Sequence, residues 1–358
     1  MAGSPDTHYP LHKSVANFVL ALAVVLPSLL ISHRFIADSK YLPPAAFSHS
    51  TSPSNIDFTA VAAAAADATG GRSPEWWWRV VAWGVRRPIG CVCALFAANV
   101  DLLFWIISLL QGSTWLIDPY WTFIPPLILE FYAAHPAASA CRARALLVRA
   151  LVLLWSARLT HSYLRRERWR WGWREDWRFS DMRRQYGRHW WWLSFLLVYV
   201  FQHVLLVGLT LPLYAVHASS TPFSPLDLLA AALALTGILT ATVADTQLHA
   251  FMTNNERLRA AGKPPVLLLD SGIWRYSRHP NYFGEQLFWW ALALFGWNAG
   301  KGWTVVGTVV NSLCMVAVTV LVEKRMRGKV ERQALFEAYC ARTSVWVPWF
   351  AGKQSKAE

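Results

Sequence analysis

Residues 271–285, SGIWRYSRHPNYFGE, hold the densest chemistry in the chain. Two guanidiniums (Arg275, Arg278), an imidazole (His279), an amide (Asn281), two phenols (Tyr276, Tyr282) and a carboxylate (Glu285) stand together there, and an apolar run follows directly. A polar cluster at the mouth of a membrane span is costly to keep unless it binds something. Arginine offers a fork of donors, which suits a phosphate- or carboxylate-bearing ligand. Asn281 and Glu285 are four residues apart, so a helix puts them on one face. A carboxylate one turn into an apolar helix is expected to face protein or a water-filled cavity. The bland alternative is a basic juxtamembrane loop with an aromatic belt.

Four other groups of residues could join this cluster. Asp245, in ADTQLH (244–249), ends an apolar run where a carboxylate is expensive; it suits a ribose or amide hydrogen bond, or a plain contact between helices. The block from Arg158 and His161 to Gln202 mixes Arg with Trp and reads as an interfacial platform or a lid over a cofactor. Its Glu175 and Asp176 would otherwise form surface ion pairs of little energetic weight. Glu323, Lys324 and Arg325 leave the last apolar run, with Tyr339 and Arg342 nearby. Asp101, Asp118, Tyr120, Glu130, Tyr132 and Tyr163 are scattered through the N-terminal half. Chemistry at a carbonyl needs an acid to polarise it, and Glu130, Tyr120 and Tyr163 are the candidates.

The elements that must position these groups are membrane helices. The 358 residues are 55% hydrophobic and include 22 Trp. Only 15% are charged, against about 25% in soluble domains. Long apolar runs at 15–32, 89–111, 119–134, 145–163, 193–216, 226–250, 284–300 and 303–322 predict an all-α polytopic bundle of seven to eight transmembrane helices. No segment alternates like a barrel strand. The first run follows His12 and Lys13, lacks a clear small-residue cleavage site, and reads as a retained anchor. Residues 37–75, rich in Ala, Ser, Thr and Pro, read as flexible. The division expected is an anchor and low-complexity segment over 1–75, a membrane domain over 76–350 and a basic tail over 351–358.

The net charge of +13 does not indicate nucleic acid, because the basic blocks lie between apolar spans and suit anionic membrane lipid. Residues 164–192 carry nine Arg against four acids. With two spans between successive basic blocks, this block, the 251–280 loop and the segment after 323 fall on one side, the cytosolic side by the positive-inside rule. Arg142 and Arg144 fall on the opposite side and fit that map less well. The five cysteines form no CxxC pair and read as packing residues, with no metal site expected. Neither GxGxxG nor GxxxxGK[ST] is present, so a nucleotide would not sit on a Rossmann or P-loop element.

At REDWRFSDMRRQYG (174–187), ADTQL (244–248), SGIWRYSRHPNYFGE (271–285) and YCARTSVWVPWF (339–350) the chain resembles the steroid 5-alpha-reductase superfamily, nearest its uncharacterised 3-oxo-5-alpha-steroid 4-dehydrogenase-like branch. The resemblance covers about residues 95–350. It implies a helical membrane protein of the endoplasmic reticulum that uses NADPH to reduce a C=C bond conjugated to a carbonyl, in a lipophilic small-molecule substrate. The superfamily's cofactor residues carry over to Asp245, Asn281 and Glu285. Arg275, Arg278, His279, Tyr282, Lys324 and Tyr339 become neighbours in the same cavity. Many relatives carry Arg seven residues after the Asp; Met252 stands there, with Arg257 and Arg259 as possible substitutes. The ketone-holding Glu and Tyr of the steroid reductases have no clear counterpart, which leaves the substrate open. The RHPNYFG element is also similar to membrane methyltransferases of the isoprenylcysteine carboxyl methyltransferase type, which bind S-adenosylmethionine with it.

Overall fold

A computed structural model describes residues 9–43, 46 and 58–350. The 351–358 tail and part of the 37–75 segment lie outside the described residues. Among the described residues there is no strand. The helices are α1 (Leu11–Val24), α2 (Leu26–Asp38), α3 (Phe58–Ala68), α4 (Glu75–Arg86), α5 (Pro88–Phe96), α6 (Trp105–Gln111), α7 (Ile117–Ala134) and α8 (Arg142–Arg166). They continue with α9 (Trp177–Tyr186), α10 (Trp190–Ser194), α11 (Phe201–His217), α12 (Pro225–Ala260), α13 (Pro280–Asn298), α14 (Val305–Arg327) and α15 (Gln333–Arg342). π-helical turns at Ala97–Phe104 and Phe195–Val200 join α5 to α6 and α10 to α11.

Every apolar run expected to span is helical. Five continuous helical stretches are long and apolar enough to cross a bilayer: Leu11–Tyr41, Pro88–Gln111, Trp177–His217, Pro225–Ala260 and Gly302–Arg327. The remaining three, α7, α8 and α13, fall short of that measure for a chemical reason. α8 carries six arginines, α7 holds Asp118, Glu130 and three prolines, and α13 opens with Asn281 and Glu285. Residues 58–68 were expected to be flexible yet form α3, in keeping with alanine's high helix propensity.

The structure accounts for Arg144, one of the two misfits in the charge map; Arg142, the other, is exposed. The Arg144 guanidinium is fully buried and spans the carboxylate of Asp227 at 2.7 and 3.0 Å. It also donates to the backbone oxygens of Thr221 and Pro222. Asp227 in turn closes a capping box with Ser224 at the start of α12. This arginine is a neutralised structural clamp, so it does not count as a free positive charge on its side of the membrane.

α12 and α13 meet backbone to backbone. A Cβ added at Gly284 would lie 2.6 Å from Ala241 N and Gly237 O, and one at Gly237 would lie 2.6 Å from Gly284 O. Small residues permit such an approach where lipid leaves close packing as a main source of helix association. The far ends of the two helices are tied by Asn298 donating to Ser224 at 2.9 Å. α11 and α14 approach in the same way at Gly208 and Gly307. The α1–α2 stretch is integrated too: Asn99 donates to Val24 O at 2.6 Å, Tyr120 to Ala21 O, and Tyr9 to Trp171 O at 3.0 Å.

Gly284→Val should force α12 and α13 apart and lower stability by about 1–3 kcal/mol. Gly328→Ala, whose added Cβ meets nothing nearer than 3.6 Å, should leave stability unchanged. Thermal unfolding of the two variants in one detergent checks the contrast.

Candidate active site

Three helices bring their polar residues to one point. From α8, Arg158 reaches Asp245 of α12 at 3.2 Å and, through its other terminal nitrogen, Glu285 of α13. Ser162 donates to Asp245 at 3.0 Å, and Asn281 donates to the other Asp245 oxygen at 3.4 Å. Trp155 donates its indole N–H to Glu285 at 2.9 Å and stacks flat on Phe288 at 5.3 Å. Trp155, Arg158 and Ser162 are spaced to share one face of α8. The Arg158 side chain is 9% exposed and the carboxylates of Asp245 and Glu285 19% and 21%, so the three charges meet in a largely enclosed site.

The node is not saturated. Among the described residues Arg158 Nε and Asn281 Oδ1 are buried without a hydrogen-bond partner, and so is Arg165 Nε beside them. Buried polar atoms normally find partners, so an unused donor and acceptor at one point mark where a ligand's polar groups would dock. Arg165 itself donates to the backbone carbonyl of Asp245 at 3.3 Å.

A ring of charged and phenolic groups surrounds the node on the arginine-rich side. Arg178 grips Asp176 bidentately at 2.9 and 2.8 Å, at the start of α9. Arg166 and Arg174 both reach Glu167, at 3.0 and 3.1 Å, and Arg168, Arg170 and Arg174 crowd the Trp173 ring. Tyr282 lies within electrostatic reach of Arg178, Asp176 and Asp245. Asp118, at the first turn of α7, makes no ion pair among the described residues; Arg166 and Arg178 are engaged with Glu167 and Asp176. Tyr163 is buried next to Asp118.

The residues singled out in the sequence thus separate into groups. Asp245, Asn281 and Glu285 form the node, and Tyr282 stands beside it. Arg278, His279 and Tyr339 stand in a different network, which fastens the segment after α15 to the loop before α13. Arg278 donates to Glu323 at 2.9 Å, to Cys340 O at 3.1 Å and to Thr343 O at 2.7 Å. His279 pairs with Glu323 at 3.2 Å, and burial holds its imidazole below the usual range against the pull of that carboxylate. Tyr339 donates to the carbonyls of Trp274 and Ser277. Arg275 and Lys324 are exposed. So are Met252, Arg257 and Arg259 beyond Asp245 on α12. Among the weaker candidates, Tyr120 is occupied by Ala21 O and Glu130 by an exposed pair with Arg149 at 2.6 Å. Tyr163 alone of these three lies on the ring. Asp101 pairs with His203 at 2.6 Å between α11 and the π turn before α6.

Arg158 was visible in the sequence as one arginine of a basic block, and Trp155 was read only as part of an apolar run. The available signal was the i, i+3, i+7 spacing of Trp155, Arg158 and Ser162, which puts them on one helix face.

This architecture defines a class: an all-α integral membrane protein with a buried carboxylate–guanidinium node at one membrane face. The chain belongs to the family described as a protein of unknown function (DUF1295), which matches residues 104–343. That family is related to the steroid 5-alpha-reductase-like proteins. The chain is similar to an uncharacterised protein of the fission yeast Schizosaccharomyces pombe, 26% identical over 238 residues that make up 61% of this chain and 67% of the relative. No solved structure matches. The matched region contains α7 to α15 and therefore every residue of the node.

One prediction follows from the geometry. Arg158→Met leaves Asp245 and Glu285 without their shared counter-charge and should cost about 3–5 kcal/mol; adding Glu285→Gln should recover part of that loss in a double-mutant cycle.

Proposed function

We propose that the protein is a membrane oxidoreductase that reduces a C=C bond conjugated to a carbonyl in a lipophilic substrate, with NADPH as cofactor. The observation that carries the reading is the convergence of Asp245, Asn281 and Glu285 on Arg158, with an unused donor on Arg158 and an unused acceptor on Asn281. The resemblance in sequence supplies the reaction class, and the site supplies matching chemistry. Asn281 Oδ1 accepts a hydroxyl or amide N–H, and Arg158 Nε donates to an oxygen. The exposed Arg275, Lys324, Arg257 and Arg259 give the mouth a positive field that draws in a polyanion.

When bound, NADPH would supply the hydride. The chain's own residues do the rest. Arg158 bridges both carboxylates and so sets their positions relative to each other. Trp155 and Phe288 wall the node and keep water from it. The Tyr163 phenol, buried on the ring, would hydrogen-bond the substrate's carbonyl oxygen as negative charge builds there. The basic mouth would face the cytosol, and the membrane would be that of the endoplasmic reticulum. The lipophilic substrate would arrive from the bilayer.

Binding of NADPH and of S-adenosylmethionine to the purified protein, by thermal shift and titration, tests the reading. A selective response to NADPH is expected, weakened roughly tenfold or more by Asn281→Ala and by Glu285→Gln in variants that still fold. A selective response to S-adenosylmethionine, or NADPH affinity unchanged in both variants, would overturn it.

A further inference from the structure

α8 has a second face. Trp155, Arg158 and Ser162 point to the node, while Leu153, Ala157, His161 and Leu164 point roughly the opposite way, by helix periodicity. There they meet Phe123, Pro126 and Leu127 of α7 across a groove of about 470 Å³. The groove is separate from the node, because the body of α8 stands between them.

Its wall is apolar for a definite reason. The two hydroxyls along it are turned away into the helix pair: Ser156 donates to Thr122 O and Thr160 to Thr122 Oγ1, each at 2.7 Å. The groove opens on the outer surface of the bundle, where Leu153 is 46% exposed and Trp169 60%. A surface of this kind in a membrane protein is in contact with hydrocarbon chains.

One end of the groove is closed by a strained device. Arg168 and Trp169 follow one another in the left-handed region, at φ 52° and 59°. Two successive non-glycine residues there are rare and persist only when the surroundings hold them. Here Trp169 N–H caps Leu164 O at 2.8 Å, and Arg168 is fastened to Glu256 of α12 at 2.9 Å. The result sets the Trp169 indole edge-on to His161, ring centres 6.4 Å apart, at the end of the groove.

The same end is basic. His161 and Arg165 of α8 and His249 of α12 lie within electrostatic reach of one another, with Glu256 nearby. Glu256 is paired with Arg168. An apolar groove with His161 at its end, and with Arg165 one turn further along α8 and His249 beside them, has the polarity of a lipid with a phosphate head.

We propose that this groove and its basic end form a binding site for one anionic phospholipid, with a hydrocarbon chain between α7 and α8 and the phosphate on Arg165, His161 and His249. Arg165 also donates to the Asp245 carbonyl, so the lipid would bear directly on a residue of the node. The assignment stands on the groove and its basic end, and holds whatever the node binds.

The test uses the delipidated full chain in detergent, with native mass spectrometry and thermal unfolding. Phosphatidylglycerol and phosphatidylcholine with the same acyl chains are added in parallel, and inorganic phosphate is the headgroup control. One phosphatidylglycerol should remain bound per chain and raise the unfolding temperature. His161→Gln should weaken that binding roughly tenfold. Arg165→Gln should do the same, and His161→Gln keeps the test intact if loss of the Asp245 contact unfolds the arginine variant. Leu153→Trp, which fills the groove from its side, should weaken binding without altering any charge. Equal protection by phosphatidylcholine would overturn the proposal. So would equal protection by inorganic phosphate, or phosphatidylglycerol binding unchanged in His161→Gln and Leu153→Trp.

Discussion

One guanidinium between two carboxylates governs the arrangement. In water, Arg158, Asp245 and Glu285 would gain little by meeting. Out of water, each charge is tolerable only beside the others, and removal of one strands the rest. The constraint reaches far from the node. It fixes the rotation of α8, α12 and α13, because each helix must turn its charged residue inward. It requires apolar rings, Trp155 and Phe288, to keep the dielectric low. It requires α12 and α13 to approach closely enough for both carboxylates to reach one arginine, and the glycine contact meets that need.

A second polar network does different work. Glu323 collects Arg278, His279 and Arg327, while Arg278 also binds the carbonyls of Cys340 and Thr343. It anchors the chain after α14 to the loop that starts α13. Asn281 and Glu285 follow that loop immediately, so the anchor sets the height at which they enter the membrane. The dense motif at 271–285 thus has two physical roles: its first half fastens, and its second half forms the node.

Much of this was legible in the sequence. The apolar runs gave the helices, because lipid leaves the backbone no alternative. Asp245, Asn281 and Glu285 were conspicuous because charge or amide inside apolar sequence is costly. Arg158 was noted only as the head of a basic block, because its own neighbourhood does not say which partners it meets. What distinguishes it is the meeting with residues 87 and 127 positions away, which no local spacing encodes. Arg144 misled the charge map likewise, since sequence counts charges without showing which are neutralised by burial. The Trp169 strain lies in backbone angles that the residue types do not announce.

The contact at Gly237 and Gly284 has a consequence for motion. Where side chains separate two helices, rotamer changes let them slide or roll. Here backbone rests on backbone, so no such lubricant exists, and α12 and α13 should move as one rigid body. Asp245, Asn281 and Glu285 then keep a constant mutual geometry through any breathing of the bundle. Whatever opens the node to a ligand must displace α8 and the arginine–tryptophan loop behind it. In such an opening the carboxylates would stay together and the cation would leave them.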